Sequence, residues 1–246
     1  MGYEERKNVI LNELEFCGSL SFQEIAKIVD VAPTTIRRDL ARMSEEGVIE
    51  RYHGGIKAVS EVTEYSMRRK QSMNSDAKRR IAQMAATFLV PNELVFIGGG
   101  STTYSMIEFI SEPSISVITN SIPHAEALHR RGIRTFLLCG FLRTRTRCLG
   151  GDEMISLMRQ YRFDQSFMGT GGVGEGLKLL SSDQNEFDLK NIALENSQQS
   201  YILVDATKFG LTAMYETDIS CRPNVTLITN RKELAGNKQV LLCPNR

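Results

Sequence analysis

From Leu94 onward the chain alternates short apolar runs, "LVFIG", "ISVIT", "TFLLC", "FDQSFMG", "YILVD", "TLIT" and "VLLC", with longer stretches of helical pattern. This feature constrains the fold most. Strand-length runs separated by helix-length segments are how βαβ units read in sequence, and they predict a doubly wound, largely parallel sheet with helices on both faces. The alternation does not extend to the N-terminus. Before about residue 57 the pattern is of short amphipathic helices, and a polar, charged stretch lies between the two regions. At 246 residues the chain exceeds one average domain, so the sequence predicts a small N-terminal domain over residues 1–57, a linker over 58–73 and an α/β domain over 74–246. The last opens on a helix start at Asn74 or Ser75.

Composition narrows the function classes. The formal charge is +1, so any attraction to a polyanion must be local. No apolar run approaches the roughly 20 residues that span a bilayer, and "MGYEERKNVI" lacks a secretory apolar core. A cytoplasmic protein with no membrane partner is expected. The five cysteines show no C-x-x-C spacing, which points away from a disulfide framework or a zinc site. Neither metal nor cofactor is expected.

The N-terminal region carries the most specific pattern. "RKNVILNELEFCGSL" predicts a helix with Val9, Ile10 and Leu14 inward, broken near Gly18. Ser21 and Glu24 form a capping box that opens a second helix, "SFQEIAKIV". Pro33 then starts "PTTIRRDLARMSEEG", in which Ile36, Leu40 and Met43 face the core and Gly47 ends the helix. "VIERYHGGI" reads as two strands around a glycine turn. The order is helix, helix, helix, wing. Thr34, Thr35, Arg37, Arg38 and Arg42 are left on the outer face of the third helix, with Arg51, His53 and Gly54 on the wing. In a winged helix-turn-helix that face enters the major groove of double-stranded DNA, where Thr and Arg meet base edges and phosphates. A plainly solvated helix face is the alternative, and charge counting gives it some weight. Residues 1–57 hold 8 Lys and Arg against 10 Asp and Glu, a formal −2. The cations nevertheless gather on the third helix and wing.

The run "TTIRRDLARMSEEGVIERYHGGI" resembles the N-terminal domain of the DeoR family of bacterial transcriptional regulators, with its T-I-R-R-D-L core, E-x-G break and R-x-H-G-G end. Ala32 stands where that family commonly has a capping serine. Further along, "IGGGSTT" resembles the family's L-D-x-G-T-T loop, "TNS" its T-N-S turn, "LCGFLR" its G-G-x-x-R segment, "GTGGV" its G-x-x-G-[IV] loop, "DQNEFDLK" its D-x-x-E-x-x-x-K run and "DATKFG" its D-x-x-K-F-G. Gly98 replaces the family's usual aspartate and Cys139 its usual glycine. The resemblance implies an α/β sensor domain related to ribose-5-phosphate isomerase. It also implies a regulator, and a repressor of a sugar-metabolism operon is expected, with a phosphorylated sugar as effector. A homodimer or homotetramer is expected because paired half-sites multiply affinity.

Two glycine-rich loops follow strand-like runs and would meet at the carboxyl ends of parallel strands, the usual ligand position in such sheets. Bare amides at a strand end before a helix can cradle a phosphate. The candidate effector set is Gly98, Gly99 and Gly100 with the hydroxyls of Ser101, Thr102 and Thr103, then Asn120, Ser121, Gly140, Gly171 and Gly172, with Asp183, Glu186 and the cations Arg143, Lys190 and Lys208. Glu186 and Lys190, four apart on a helix, can also simply pair with each other. Six arginines between residues 127 and 151 have no acid among them, as a solvated loop, a phosphate site or an acidic partner surface would each explain. An isomerase-like enzyme is the alternative function, with Asp183, Glu186 and Asp188 as possible acid and base. No convincing pair emerges, so sensing rather than catalysis is expected.

Overall fold

The computed structural model describes residues 2–17, 19–46, 48–58 and 67–244; Gly18 and Gly47, expected to break and to end helices, lie outside the described residues. The chain divides into two compact units, Met1–Thr63 and Glu64–Arg246.

The first unit runs α1 (Tyr3–Cys17), β1 (Ser19–Ser21), α2 (Phe22–Val29), α3 (Pro33–Glu45), β2 (Ile49–Tyr52) and β3 (Gly55–Ala58). Its strands form one antiparallel sheet in the order β1-β3-β2. The capping box on α2 is present: the Glu24 N–H donates to Ser21 Oγ at 3.3 Å, and the Ser21 N–H donates to Glu24 Oε2 at 2.7 Å. Helix α3 starts at Pro33 with no side-chain cap from Ala32. Its Ile36, Leu40 and Met43 are buried, as are Ile10, Leu14, Ile25 and Ile56 from the surrounding elements. One polar contact crosses this core. Arg6 Nε of α1 donates to Asp39 Oδ2 of α3 at 2.7 Å, and both side chains are over nine-tenths buried. Gly54 turns β2 into β3 at φ +105°, a conformation L side chains rarely adopt.

The second unit opens on α4 (Met67–Ser72) and α5 (Ser75–Ala86), then follows the βα alternation: β4 (Leu94–Ile97), α6 (Ser101–Ile107), β5 (Ser116–Thr119), α7 (Ile122–Arg130) and β6 (Arg134–Leu137). A hairpin, β7 (Phe141–Arg143) and β8 (Cys148–Gly150), precedes α8 (Asp152–Met158) and β9 (Phe163–Gly169). Then come β10 (Gly172–Val173), β11 (Leu179–Ser181), α9 (Gln184–Asn196), β12 (Ser197–Leu203), β13 (Tyr215–Thr217), β14 (Val225–Thr229) and β15 (Val240–Leu242). Each of the seven apolar runs contributes a strand of one sheet, ordered β15-β14-β12-β9-β4-β5-β6, and every pairing in it is parallel. Helices cover both faces. On β4, Val95 and Ile97 join Ile81 of α5, Met106 of α6 and Leu128 of α7 in one core cluster, while Phe96 joins Met158 of α8 and Ile192 of α9 in the other.

Part of the stretch expected as a linker is helical. Its polar sequence gives no apolar period, and α4 is held by tertiary bonds instead. The Met67 N–H donates to the Arg145 carbonyl at 3.1 Å, and the buried Lys78 Nζ donates to the carbonyls of Lys70 and, at 2.6 Å, Met73. Residues 59–66 lie outside the described residues.

Candidate functional site

On α3 the burial of Ile36, Leu40 and Met43 turns the rest of the helix outward, and Thr34, Arg37, Arg38 and Arg42 are exposed while Thr35 is half-buried. Arg51, His53 and Gly54 are exposed on the wing. These cations are not equally free. Arg42 lies 4.0 Å above the Tyr3 ring centroid and donates to Glu46 Oε1 at 3.1 Å, and Arg37 sits 5.5 Å from the Phe22 centroid. Arg38 makes neither kind of contact among the described residues. The surface thus offers two arginines and a threonine near the start of a helix, the part of a recognition helix that meets base edges.

In the second unit the strand order fixes where a ligand can enter. Sequence runs outward from β4 to β5 and β6 on one side, and from β9 to β12, β14 and β15 on the other, so the direction of winding reverses between β4 and β9. At such a switch point the flanking loops part and leave a crevice at the carboxyl ends of the strands. A cavity of about 80 Å³ lies there, lined by Gly98–Gly100 after β4 and by Met168 and Gly169 at the end of β9. Each water needs about 10–15 Å³ on this measure, so the space admits several waters or a small metabolite. Phe96, Leu149, Met154 and Leu189 supply an apolar wall, and Asn120, Arg143, Asn185, Glu186 and Lys190 the polar one.

The glycine loop is built by close approach. A Cβ on Gly99 would stand 2.3 Å from Cys148 Sγ, so only glycine lets the loop lie on β8. Its amides are partly committed: the Gly98 N–H donates to the Phe167 carbonyl and the Gly99 N–H to Asn120 Oδ1, both at 2.9 Å. Bare amides were expected in this loop, and two of them are already bonded within the fold. Donors without intrahelical acceptors begin with the first turn of α6.

The hydroxyls also serve the fold. Thr103 is fully buried, donates to the Gly98 carbonyl at 2.7 Å and meets His124 Nε2 at 3.1 Å, while Ser121 meets His124 Nδ1 at 2.7 Å. With the Thr103 proton on the carbonyl, its oxygen accepts from Nε2–H, and Nδ1 accepts from Ser121. His124 is therefore neutral, and burial pushes its pKa down to about 3 against a weaker opposing bond to the Gly100 backbone. Ser101 and Thr102 are buried and do not line the cavity.

Lys190 lines the cavity, yet its ammonium is spent on Ser181 Oγ at 2.8 Å, Thr170 Oγ1 at 3.3 Å and the Leu180 carbonyl at 3.4 Å, with Glu186 Oε1 at 3.8 Å. Burial lowers its pKa, Glu186 raises it and nearby Lys70 lowers it again. Asp183 caps α9 through the Glu186 N–H at 3.0 Å and pairs with Arg143 at 2.9 Å. Gly140, Gly171, Gly172 and Lys208 do not line this cavity: Gly140 packs on the Gly150 carbonyl, the Gly171 N–H closes onto the Leu180 carbonyl, Gly172 is in β10, and the Lys208 N–H donates to Asp205. Of the arginine run, Arg143 pairs with Asp183, Arg147 reaches Glu126 at 3.5 Å, and Arg131 donates to the Ile110 carbonyl at 2.6 Å. Met67, Lys70, Thr146 and Cys148 line the cavity without having been expected there. No sequence signal marked the first two, because the polar α4 has no apolar period. Burial raises the Cys148 pKa, which keeps a thiol rather than a thiolate at the site.

Among the described residues no group of three or more His, Cys, Asp or Glu is placed to hold a metal, and no helix is long and apolar enough to cross a membrane.

Comparison with known proteins agrees with this architecture. Residues 6–62 match the family described as DeoR-like helix-turn-helix domain, and residues 73–231 match DeoR C terminal sensor domain. The chain is similar to the uncharacterized HTH-type transcriptional regulator FruR of Bacillus subtilis, 36% identical over 84% of this chain and 83% of that protein. It is also similar to a lactose phosphotransferase system repressor of Staphylococcus epidermidis, 33% identical over 78% of each chain. Among solved structures, ribose 5-phosphate isomerase A from Methanocaldococcus jannaschii superimposes at a TM-score of 0.41 with 18% identity, covering 55% of each chain; so partial a likeness carries nothing about chemistry.

Proposed function

The chain belongs to the DeoR family of DNA-binding transcriptional regulators, and from that premise we propose that it represses a sugar-metabolism operon and releases its operator when a phosphorylated sugar occupies the cavity between β4 and β9. The observation that carries the reading is the cation-rich cavity at the switch point of a sheet whose chain also bears a winged helix-turn-helix. The lactose phosphotransferase system repressor, by its name, belongs with phosphoryl-coupled sugar uptake, and that supports a phosphorylated effector. Operator contact is assigned to Thr34, Thr35, Arg37 and Arg38 on α3, with Arg42, Arg51, His53 and Gly54 flanking them. Effector contact is assigned to the Gly98–Gly100 loop, Asn120, Arg143, Glu186 and Lys190.

Sensing is favoured over turnover because Glu186 is the one carboxylate among the described residues lining the cavity, and no histidine lines it among them. Isomerisation needs both an acid and a base at the substrate. The working form is a cytoplasmic homo-oligomer. Support comes from the unpaired sheet edge at β6, where Phe136, Leu137, Phe141 and Leu142 are all exposed, Phe141 by 76%. The two phenyl rings leave roughly 200–300 Å² of apolar surface in water, which burial against a partner would remove. A second copy of this chain covers it in the proposed assembly.

Fluorescence anisotropy of the full chain on DNA from upstream of its own gene, titrated with hexose, pentose and ketose phosphates, tests the reading. Release by one compound supports it. Binding indifferent to every phosphate would refute the effector assignment, and steady conversion of a sugar phosphate would favour the isomerase alternative.

A further inference from the structure

Helix α4 is the first described element after the chain leaves the winged unit, and it contributes two side chains to the cavity wall. Met67 and Lys70 stand one helical turn apart, so both fall on one face, and both line the cavity with the Gly98–Gly100 loop. Hydrogen bonds fix both ends of this short helix. The Met67 N–H reaches the Arg145 carbonyl, and Lys78 Nζ takes the carbonyls at the C-terminal end, where a cation complements the helix dipole. Beyond that end Asn74 turns the chain at φ +51°, and its side chain is fixed to Thr207 Oγ1 at 3.0 Å and Asp205 Oδ1 at 3.3 Å. The start of α5 is thus anchored. The start of α4 is held by the Met67–Arg145 backbone bond and the burial of Met67, and it borders the cavity.

The cavity cations differ in what they have left to give. Lys190 donates to Ser181, Thr170 and Leu180, and Arg143 pairs with Asp183. Among the described residues the Lys70 ammonium meets no carboxylate and no hydrogen-bond acceptor, although it is half-buried and close enough to Lys190 for the two charges to repel. A partly desolvated cation beside a like charge is unfavourable until an anion completes the site.

We propose that Lys70 grips the anionic group of the effector, and that α4 thereby reports occupancy of the cavity along the chain to the DNA-binding unit. This rests on the cavity being the effector site. An anion shared by Lys70 and the glycine loop ties α4 to the end of β4. Without it, α4 keeps its bonds to Arg145 and Lys78, its packing on α6 and the burial of Met67, but loses the tie through Lys70. Occupancy therefore changes how firmly the chain leading back to the winged unit is held, a change of order that a ligand can select.

The test uses the full-length protein, with inorganic phosphate and the hexose, pentose and ketose phosphates as probes. Affinity is measured by calorimetry and amide order by hydrogen exchange. Lys70→Gln is expected to weaken every phosphate compound by about tenfold or more, the loss of one charged hydrogen bond. Lys70→Arg keeps most of the affinity, which separates lost charge from lost fold. In the wild type a saturating probe raises protection of residues 67–73, and in Lys70→Gln the same occupancy does not. Wild-type affinity in Lys70→Gln, or α4 exchange indifferent to a bound probe in the wild type, overturns this proposal alone. If the wild type binds none of the probes, the effector reading itself falls and this proposal with it.

Discussion

At the scale of single residues, three side chains make the reading testable, two in the first unit and one in the second. Arg37 and Arg38 are exposed on α3 because Ile36 and Leu40 take the buried positions of that helix. A specific contact from each would contribute about 1–3 kcal/mol, so Arg37→Ala with Arg38→Ala is expected to weaken operator binding by more than about 30-fold and to flatten its salt dependence, as read by anisotropy at several salt concentrations. His124 provides a pH test. Its folded pKa of about 3 lies below the ordinary 6.5, so between those values the unfolded chain binds a proton that the native one refuses. Stability of the second unit should therefore fall as pH drops from 6.5 toward 3, by up to about 1.4 kcal/mol per pH unit from this residue. Urea unfolding at pH 7, 6 and 5 checks it, and His124→Asn should show a shallower pH dependence than the wild type. An equal slope in both would mean another group carries it. The apolar period of the helix disclosed Arg37 and Arg38, whereas nothing in the sequence joined His124 to its partners: Thr103 lies in α6 and Ser121 just before α7. Asp39 was legible as part of a motif, while its bond to Arg6, 33 positions away, was not.

Among the elements, the glycine loop after β4 has no room for added volume at Gly99. Gly99→Ala would place its Cβ against Cys148 Sγ and at 3.0 Å from Ser121 Cβ, so overpacking of about 1–3 kcal/mol is expected, with a lower thermal midpoint. Adding Cys148→Ala should recover part of that loss. A double variant no more stable than the single one would show that the Ser121 side of the loop, not β8, sets its position. The central strands of the main sheet were readable because a strand buried on both faces is an apolar run, and the half-exposed edge strands β6 and β15 kept enough apolar residues to be read with them. The helix α4 was not, since a six-residue polar segment held by Lys78 and a single backbone bond leaves no hydrophobic period to read. Within the cavity the same rule holds. The Gly98–Gly100 loop and Glu186 announced themselves by motif, but nothing in the sequence marked Met168, Met154 and Leu189, core residues that the reversal of winding between β4 and β9 also brings to the cavity wall.

For the molecule as a whole, affinity on DNA depends on how many heads act together and how effector and operator are coupled. If the exposed edge around β6 joins two copies, Phe141→Glu puts a charge into that contact, and the expected outcome is a lower mass in sedimentation together with weaker operator binding. A mass unchanged by the substitution would move the interface elsewhere. Coupling gives the stricter test because linkage is reciprocal: an effector that lowers operator affinity by some factor must itself bind the operator-bound protein more weakly by the same factor. Couplings of this kind amount to about 1–3 kcal/mol, or roughly 5–150-fold. Operator affinity with saturating effector and effector affinity with saturating operator should therefore shift by one shared factor, measured by anisotropy in the first case and calorimetry in the second. Unequal factors would show that the compound also acts outside this equilibrium, for instance by dissociating the oligomer, and sedimentation with and without effector would reveal that as a change in mass.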